Sequence, residues 1–591
     1  MKRNEIQNKY KWDLSAMVDS ADKFEKLFAE IENSLSVIEG YKGKLGNKAD
    51  ALACLKLEAE IGDKLELIYV YSHMYKDEDA TNNEAVALAA RTDMLAGKTA
   101  AATSFIVSEL SALDKSVLDG YIKDAAFAEF DFSLKEIVRQ NEHILSDKEE
   151  KLLALAAEAL DTPYRVAHMM FDVDMKFAPV KRGKKKIELT NGSYGELLAD
   201  PDREVRKQAF DNLYDGYIAN INTIAANYAG NVKADNFVAR ARGFNDCLEQ
   251  SLFGDNVPTS VYENLIAAVN KNFAPLHRYI ALRKKLLGVD EQHMYDLYTP
   301  IVSNAEMKLS YEQACEIVKA ALAPMGDEYV GLLNKAMTEG WIDVMQCDGK
   351  RGGAYSWSAY CAHPYVLLNY APTTEDIFTL AHELGHCLHS YYSQKNQPYS
   401  KWNYQIFVAE VASISNETLL DDYLMKNVKD DNIKKYLLSL RLNRFRTTLF
   451  RQAMFAEFEY KAHKMDLEGK PLTVDALCET YLDLNKKYYG KDVVSDDRIA
   501  YEWARIPHFY KAFYVYKYST GMTAATSVAH NVLARPEYVD IYKTKFLSAG
   551  GHKSPYEILC DAEVDLATEK PYDDAFAFFN SALDELEKLC K

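Results

Sequence analysis

Proline and glycine are scarce in this chain, 15 and 26 among 591 residues, which leaves few places to break a helix. Alanine, leucine, glutamate and lysine fill the space instead, and all four favour helices. No apolar run approaches the roughly 18 residues that a membrane-spanning helix needs. The N-terminal MKRNEIQNKYKWDLSAM carries charge without an apolar stretch, which is not the pattern of a secretory leader. The nine cysteines (Cys54, Cys247, Cys315, Cys347, Cys361, Cys387, Cys478, Cys560 and Cys590) are scattered, odd in number and free of any Cys-x-x-Cys pair. This argues against a disulfide framework and points to a reducing, cytoplasmic setting. Positive charge is also in deficit. Lys and Arg total 70 against 88 Asp and Glu, a formal charge of −18. Phosphate backbones and anionic bilayers would be repelled, so neither nucleic acid nor membrane is an expected partner. Composition does not decide the oligomeric state.

What remains is the composition of a globular protein, with 48% hydrophobic and 27% charged residues. Single cores stop growing near roughly 250–300 residues, so two or three lobes are expected. Residues 20–160 read as consecutive helices, with Leu55, Ile61, Leu65, Ile68 and Tyr69 recurring at helical spacing. The basic run 180–187 contains Gly183 and reads as a solvated turn between short strands at 175–179 and 186–190. Asp200-Pro201-Asp202 opens another helix. A boundary is placed near 195, giving an N-terminal helical region (1–195) and a catalytic region (196–591). Residues 257–338 are helical with loops near Asp290 and Pro300. Lys350-Arg351-Gly352-Gly353 is a turn, 365–370 a short buried strand, and helices dominate after Pro372.

The helix beginning near Thr373 carries the chemistry. Thr373 and Asp376 have capping-box spacing. Ile377, Leu380, Ala381, Leu384 and Leu388 form one apolar face, and His382 and His386 stand one turn apart on a neighbouring face. Two imidazoles so spaced on a rigid helix are preorganised zinc ligands. Glu383 between them completes His-Glu-Leu-Gly-His, the H-E-x-x-H pattern in which the glutamate is the base for zinc-bound water. A catalytic zinc takes three protein ligands and keeps one open position, which implies one ion per chain. Downstream, Ile406, Phe407, Val408, Val411, Ile414, Leu419 and Leu420 mark a packed helix. On it, Glu410 is the expected third ligand and Glu417 an acceptor for a ligand histidine. The connection through Gln397-Pro398 allows the two helices to pair antiparallel. Gly385 reads as a point of close backbone approach. His389 reads as a hydrogen-bonded neighbour or surface residue rather than a fourth ligand, which would close the open position.

These residues resemble the thimet oligopeptidase and oligoendopeptidase F family of zinc peptidases, most closely the oligoendopeptidase F branch. The matching text is FTLAHELGHCLHSYYS at 378–393 and FVAEVASISNE at 407–417, with GKRGGAYS at 349–356 and IPHFYKAFYVYKYSTG at 506–521. WDLS at 12–15 and HMYKDEDATN at 73–82 also fit, so the likeness covers most of the chain. Cys387 departs mildly, standing where small residues such as serine are common. The resemblance implies a mainly α fold, with two helical lobes around a deep substrate channel and a small β-sheet beside the zinc helix. It also implies a preference for short, unstructured oligopeptides. It further implies that donors in the tyrosine-rich segment steady the tetrahedral oxyanion: His508 and Tyr516 foremost, then Tyr514. A tyrosine there keeps its proton at neutral pH and donates without becoming charged. The Gly352-Gly353-Ala354-Tyr355 segment offers backbone to an extended peptide.

The expected reaction is endopeptidase cleavage by zinc-bound water, with Glu383 as base. Two alternatives stay open at this point. One is a peptide-binding protein with structural zinc; the other is removal of C-terminal dipeptides instead of internal cleavage.

Overall fold

The computed structural model describes residues 2–302 and 305–591. It is mainly α, as expected; among the described residues the strands are five and short. The chain folds into two compact units. The first comprises Met1–Glu142, Met307–Lys426 and Val528–Val564, the second His143–Glu306, Asn427–Ser527 and Asp565–Lys591. In the second unit, the basic run is itself a hairpin rather than a turn between flanking strands. β1 (Val180–Arg182) pairs antiparallel with β2 (Lys185–Ile187). Gly183 sits at φ +60°, a left-handed conformation that glycine adopts freely, so pairing begins immediately on either side. The lysines of the run are exposed.

The first unit begins with long helices. Ala21–Glu39 starts where the Ser20 side chain accepts the Lys23 N–H, and it buries Phe24, Ile31 and Ile38, one face at heptad spacing. Lys48–Glu78 starts where the Asn47 side chain accepts the amides of Ala49 and Asp50. Their apolar faces meet Trp12, Met17, Leu118 and Phe127, and the same core reaches Tyr365 and Leu367. Those two belong to the central strand of a three-stranded sheet, ordered β3 (Ile342–Asp343), β5 (Tyr365–Leu367), β4 (Tyr355–Trp357). β3 runs parallel to β5 and β4 antiparallel to it. The buried strand expected at 365–370 is therefore real but ends at Leu367.

The helix Thr374–Asn396 packs on this sheet. Thr373 caps it by accepting the Asp376 N–H at 3.2 Å, and Ile377, Leu380, Ala381, Leu384 and Leu388 are wholly buried. The following helix, Ile406–Asn427, buries Phe407, Val408, Val411, Leu419 and Leu420. Ile406 does not join that face; it is exposed at the helix start, where the chain enters from a loop. The two helices run antiparallel. Asn416 Nδ2 donates to the Ala381 carbonyl at 3.1 Å, while four residues along, Gly385 lies against Ala412 and Ser413.

At Gly385 the backbones touch. A Cβ there would stand 2.6 Å from Ser413 Cα and 2.8 Å from the Ala412 oxygen. Both are main-chain atoms that cannot swing aside. Gly385→Ala is therefore expected to destabilise the protein, because overpacking of about 1–3 kcal/mol exceeds the helix-propensity gain of roughly 1 kcal/mol. Thermal denaturation and metal retention should both fall, and a variant as stable as the parent would show that the helices are free to separate.

Candidate metal centre

Three ligand-type atoms converge between these helices. His382 Nε2 and His386 Nε2 are 3.2 Å apart. Glu410 Oε2 lies 3.4 Å from the first and 3.6 Å from the second. For a tetrahedral ion with bonds near 2.0–2.1 Å, adjacent ligand atoms should be about 3.3 Å apart. All three edges of the triangle match that length.

The ring nitrogens also point the right way. His382 Nδ1 donates to Glu417 Oε1 at 2.6 Å. The proton is thereby fixed on Nδ1, and the lone pair of Nε2 is turned toward the triangle. Ser413 Oγ donates to Glu410 Oε2 at 3.1 Å and to the Glu410 carbonyl at 2.9 Å, which sets the carboxylate's direction. The donor set of two imidazoles and one carboxylate therefore fits a zinc-class ion, with three protein ligands among the described residues rather than a closed set of four.

Environment separates Glu410 from Glu383. Burial opposes ionisation of Glu410, but the hydrogen bond to His386 and the charges of both imidazoles outweigh it and bring its carboxyl down to about 2. Glu383 is buried. Burial pushes its carboxyl above the ordinary range, although His382 and His386 pull the other way. Burial also works against a charged His382, yet Glu417, Glu410 and Glu383 together raise it. The same surroundings thus favour the charged form of Glu410 and oppose that of Glu383.

His389 is not part of this cluster, nor is it a surface or hydrogen-bonded neighbour. Its ring is buried and stacked on Tyr404 with centroids 3.7 Å apart, and Phe546 lies beyond at 5.1 Å. Desolvation lowers it to about 3, so it stays neutral.

Full-length comparisons decide the family. A model described as peptidase family M3 matches residues 196–578, and one described as Oligopeptidase F matches 109–177. Oligopeptidase PepF of Bacillus subtilis is 40% identical, covering 99% of this chain and 88% of that protein. Group B oligopeptidase PepB of Streptococcus agalactiae is 37% identical over 99% of this chain and 98% of its own length. The chain belongs to peptidase family M3. A solved oligoendopeptidase-F from Enterococcus faecium aligns at 34% identity with TM-score 0.72, covering 96% of this chain and 99% of that one. A Chlamydophila abortus chain aligns at 33% identity and 0.95 over 100% and 99%. As a member of family M3, the chain is a metallo-oligopeptidase, and no helix among its described residues is long and apolar enough to cross a membrane.

The tyrosine-rich segment of this M3 peptidase lies in the second unit. His508 is exposed, and its Nε2 stands 3.2 Å from the Tyr518 hydroxyl. Tyr514 flanks both, its ring centroid 6.0 Å from that of His508 and 5.7 Å from that of Tyr518. Desolvation, with the charges of Lys511 and Arg451, lowers His508, which keeps the ring neutral. Tyr516 differs from the expectation. It is wholly buried, with its ring packed on Tyr262 at 5.3 Å. Tyr518, two residues on, is the one that reaches His508. Alternating tyrosines at 514, 516 and 518 gave no signal in the sequence for choosing among them, because only burial distinguishes them.

The Glu417 bond generates a test. Glu417→Gln removes the charged acceptor from His382 Nδ1 without changing side-chain size. Metal affinity is expected to fall about 10–100-fold, read by competition with a chromophoric chelator. Unchanged affinity would mean that the tautomer is set by something else.

Proposed function

We propose that this chain is a zinc-dependent endopeptidase that hydrolyses internal bonds of short, unstructured oligopeptides, with one zinc per chain on His382, His386 and Glu410 and with Glu383 as the base. The supporting observation is the triangle of Nε2, Nε2 and Oε2 atoms with edges of 3.2, 3.4 and 3.6 Å. Bound there, zinc supplies Lewis-acid polarisation of a carbonyl and brings the pKa of water toward ~7. Glu383 accepts the proton of the attacking water at its carboxylate and returns it to the leaving nitrogen. Its raised affinity for protons favours the first half of that exchange.

Substrate backbone is bound by the sheet. In the order β3-β5-β4, Tyr355–Trp357 has a strand on one side only among the described residues, and nothing lies within 4 Å of where a Cβ would stand on the preceding Gly352 and Gly353. An extended peptide adds to such an edge through main-chain hydrogen bonds, which tolerate many side-chain sequences. The tyrosine-rich segment enters the proposal by resemblance, which names His508, Tyr516 and then Tyr514 as oxyanion donors; the burial of Tyr516 and the approach of Tyr518 to His508 favour Tyr514 or Tyr518 as the tyrosine beside a neutral His508. The division into 1–195 and a catalytic 196–591 belongs to the same reading, as does a reducing cytoplasmic location, which suits nine free thiols.

Chelation should abolish cleavage of an internally quenched, end-blocked peptide, and added zinc should restore it with products cut inside the chain. Glu383→Gln should retain zinc and lose about 10²–10⁴ in kcat/KM; a zinc-loaded, fully active variant removes Glu383 from the role of base. His508→Ala should lower kcat by roughly 10²-fold with KM little changed, and an unaltered kcat would leave the histidine without a part in the reaction.

A further inference from the structure

A second convergence of ligand-type side chains lies within the second unit, built from residues the peptidase chemistry does not use. Asp235 on the helix Ile221–Ala241, Cys247 at the start of Cys247–Phe253 and His463 on Arg451–Leu467 bring a carboxylate oxygen, a sulfur and an imidazole nitrogen within 4.8 Å of one another. Cys247 and His463 are each only 2% exposed.

The hydrogen bonds around the cluster fix what each atom presents. His463 Nδ1 donates to the Glu459 carbonyl at 2.9 Å, so Nε2 is turned the other way. It faces Asp235 Oδ2 at 3.3 Å, an oxygen already oriented by the Asn231 amide at 2.8 Å. Without an ion, burial opposes a charged His463, but Asp235 and Cys247 outweigh it and raise its proton affinity, so Nε2–H pairs with the Asp235 carboxylate. An ion would take the place of that shared proton, with the Cys247 sulfur beside it. The separation of Nε2 and Oδ2 is again the edge of a tetrahedron whose bonds are about 2.0 Å long. Asn236 Nδ2 clamps the same two helices, donating to the His463 carbonyl at 3.2 Å and to Asp466 Oδ2 at 3.0 Å. A cavity of about 240 Å³, lined by Cys247, Tyr460, His463 and Phe513 among others, gives an ion access and room for a fourth ligand.

We propose that Asp235, Cys247 and His463 form a second metal site, separate from the peptidase triad, that takes a borderline-soft divalent ion of the zinc class. A sulfur and an imidazole discriminate against calcium and magnesium, which want oxygen alone. On binding, the Cys247 thiol and the His463 imidazolium each release a proton to solvent, and the ion's two charges balance the resulting thiolate and the Asp235 carboxylate. The ion would tie together three helices, bridging residues 228 positions apart, so its contribution is to the stability of the second unit.

The test uses the full-length chain carrying His382→Ala and His386→Ala, stripped with chelator and titrated with Co²⁺. The expected result is about one equivalent bound, with a near-ultraviolet thiolate-to-cobalt charge-transfer band that only a sulfur ligand produces. Cys247→Ala in the same background should lose both the equivalent and the band. Asp235→Asn, which preserves shape, should weaken Co²⁺ binding while the fold, read by circular dichroism, is retained. Zn²⁺ should raise the melting temperature of the double-histidine variant but not of its Cys247→Ala derivative. Absence of the band in a folded protein with Cys247 intact, or a band that survives Cys247→Ala, overturns the proposal and leaves an imidazolium–carboxylate pair beside a thiol. Failure of the peptidase triad would show separately, as an unchanged metal content when His382 and His386 are replaced in the parent chain.

Discussion

Contact between two helix backbones at Gly385 and Ser413 governs the geometry of the first unit's metal centre. With the main chains touching, the carboxylate of Glu410 falls on the imidazole nitrogens of His382 and His386, and Glu417 falls on the far nitrogen of His382. A wider separation would leave Glu410 in solvent and His382 without its acceptor. The apolar face of the first helix, anchored on the sheet, holds its histidines in place; the second helix is held to it by Asn416 on the Ala381 carbonyl, and Tyr329, from the helix Asp327–Thr338, donates to Asn416 at 3.0 Å. Rigidity here comes from burial on the outer faces and from a missing Cβ on the inner one.

Charge then sorts chemically identical groups into different roles. Glu383, Glu410 and Glu417 are all carboxylates within one small region. Glu410 meets two imidazoles and a serine hydroxyl, which favour its anion; Glu383 is buried beside its helix neighbours and holds its proton more tightly; Glu417 accepts a short bond from a ring N–H. The proposed ligand, base and orienting residue differ by surroundings and not by side-chain type. Similar logic runs through the Asp235–Cys247–His463 cluster, where a backbone carbonyl and an asparagine amide decide which atoms face inward.

Much of this was legible in the residues. A sequence poor in breakers became long helices, and the period of Ile377, Leu380, Ala381, Leu384 and Leu388 identified the buried face before any coordinates. Thr373 announced the helix start and Gly385 the close approach. Where reading and structure differ, the cause is local. The hairpin at 180–187 is tighter than its hydrophobic pattern suggested, because one left-handed glycine suffices to turn it. Ile406 is apolar yet exposed, since it sits where the helix has just emerged from a loop. His389 is a stacked core ring because Tyr404 and Phe546, both distant in sequence, enclose it.

The two units are each assembled from three separate stretches, and no shift in composition marks where the chain leaves one for the other. The sequence by itself determined everything that depends on neighbours along one helix: the cap, the apolar stripe, the paired imidazoles and the glutamate between them. A helix repeats at a fixed angle, so spacing alone specifies which side chains share a face. Only the tertiary structure decided which of Tyr514, Tyr516 and Tyr518 is buried, how Glu410 meets its two imidazoles, and that Asp235, Cys247 and His463 meet at all. Those facts depend on contacts between segments far apart in the chain, and no local period encodes a distance across a fold.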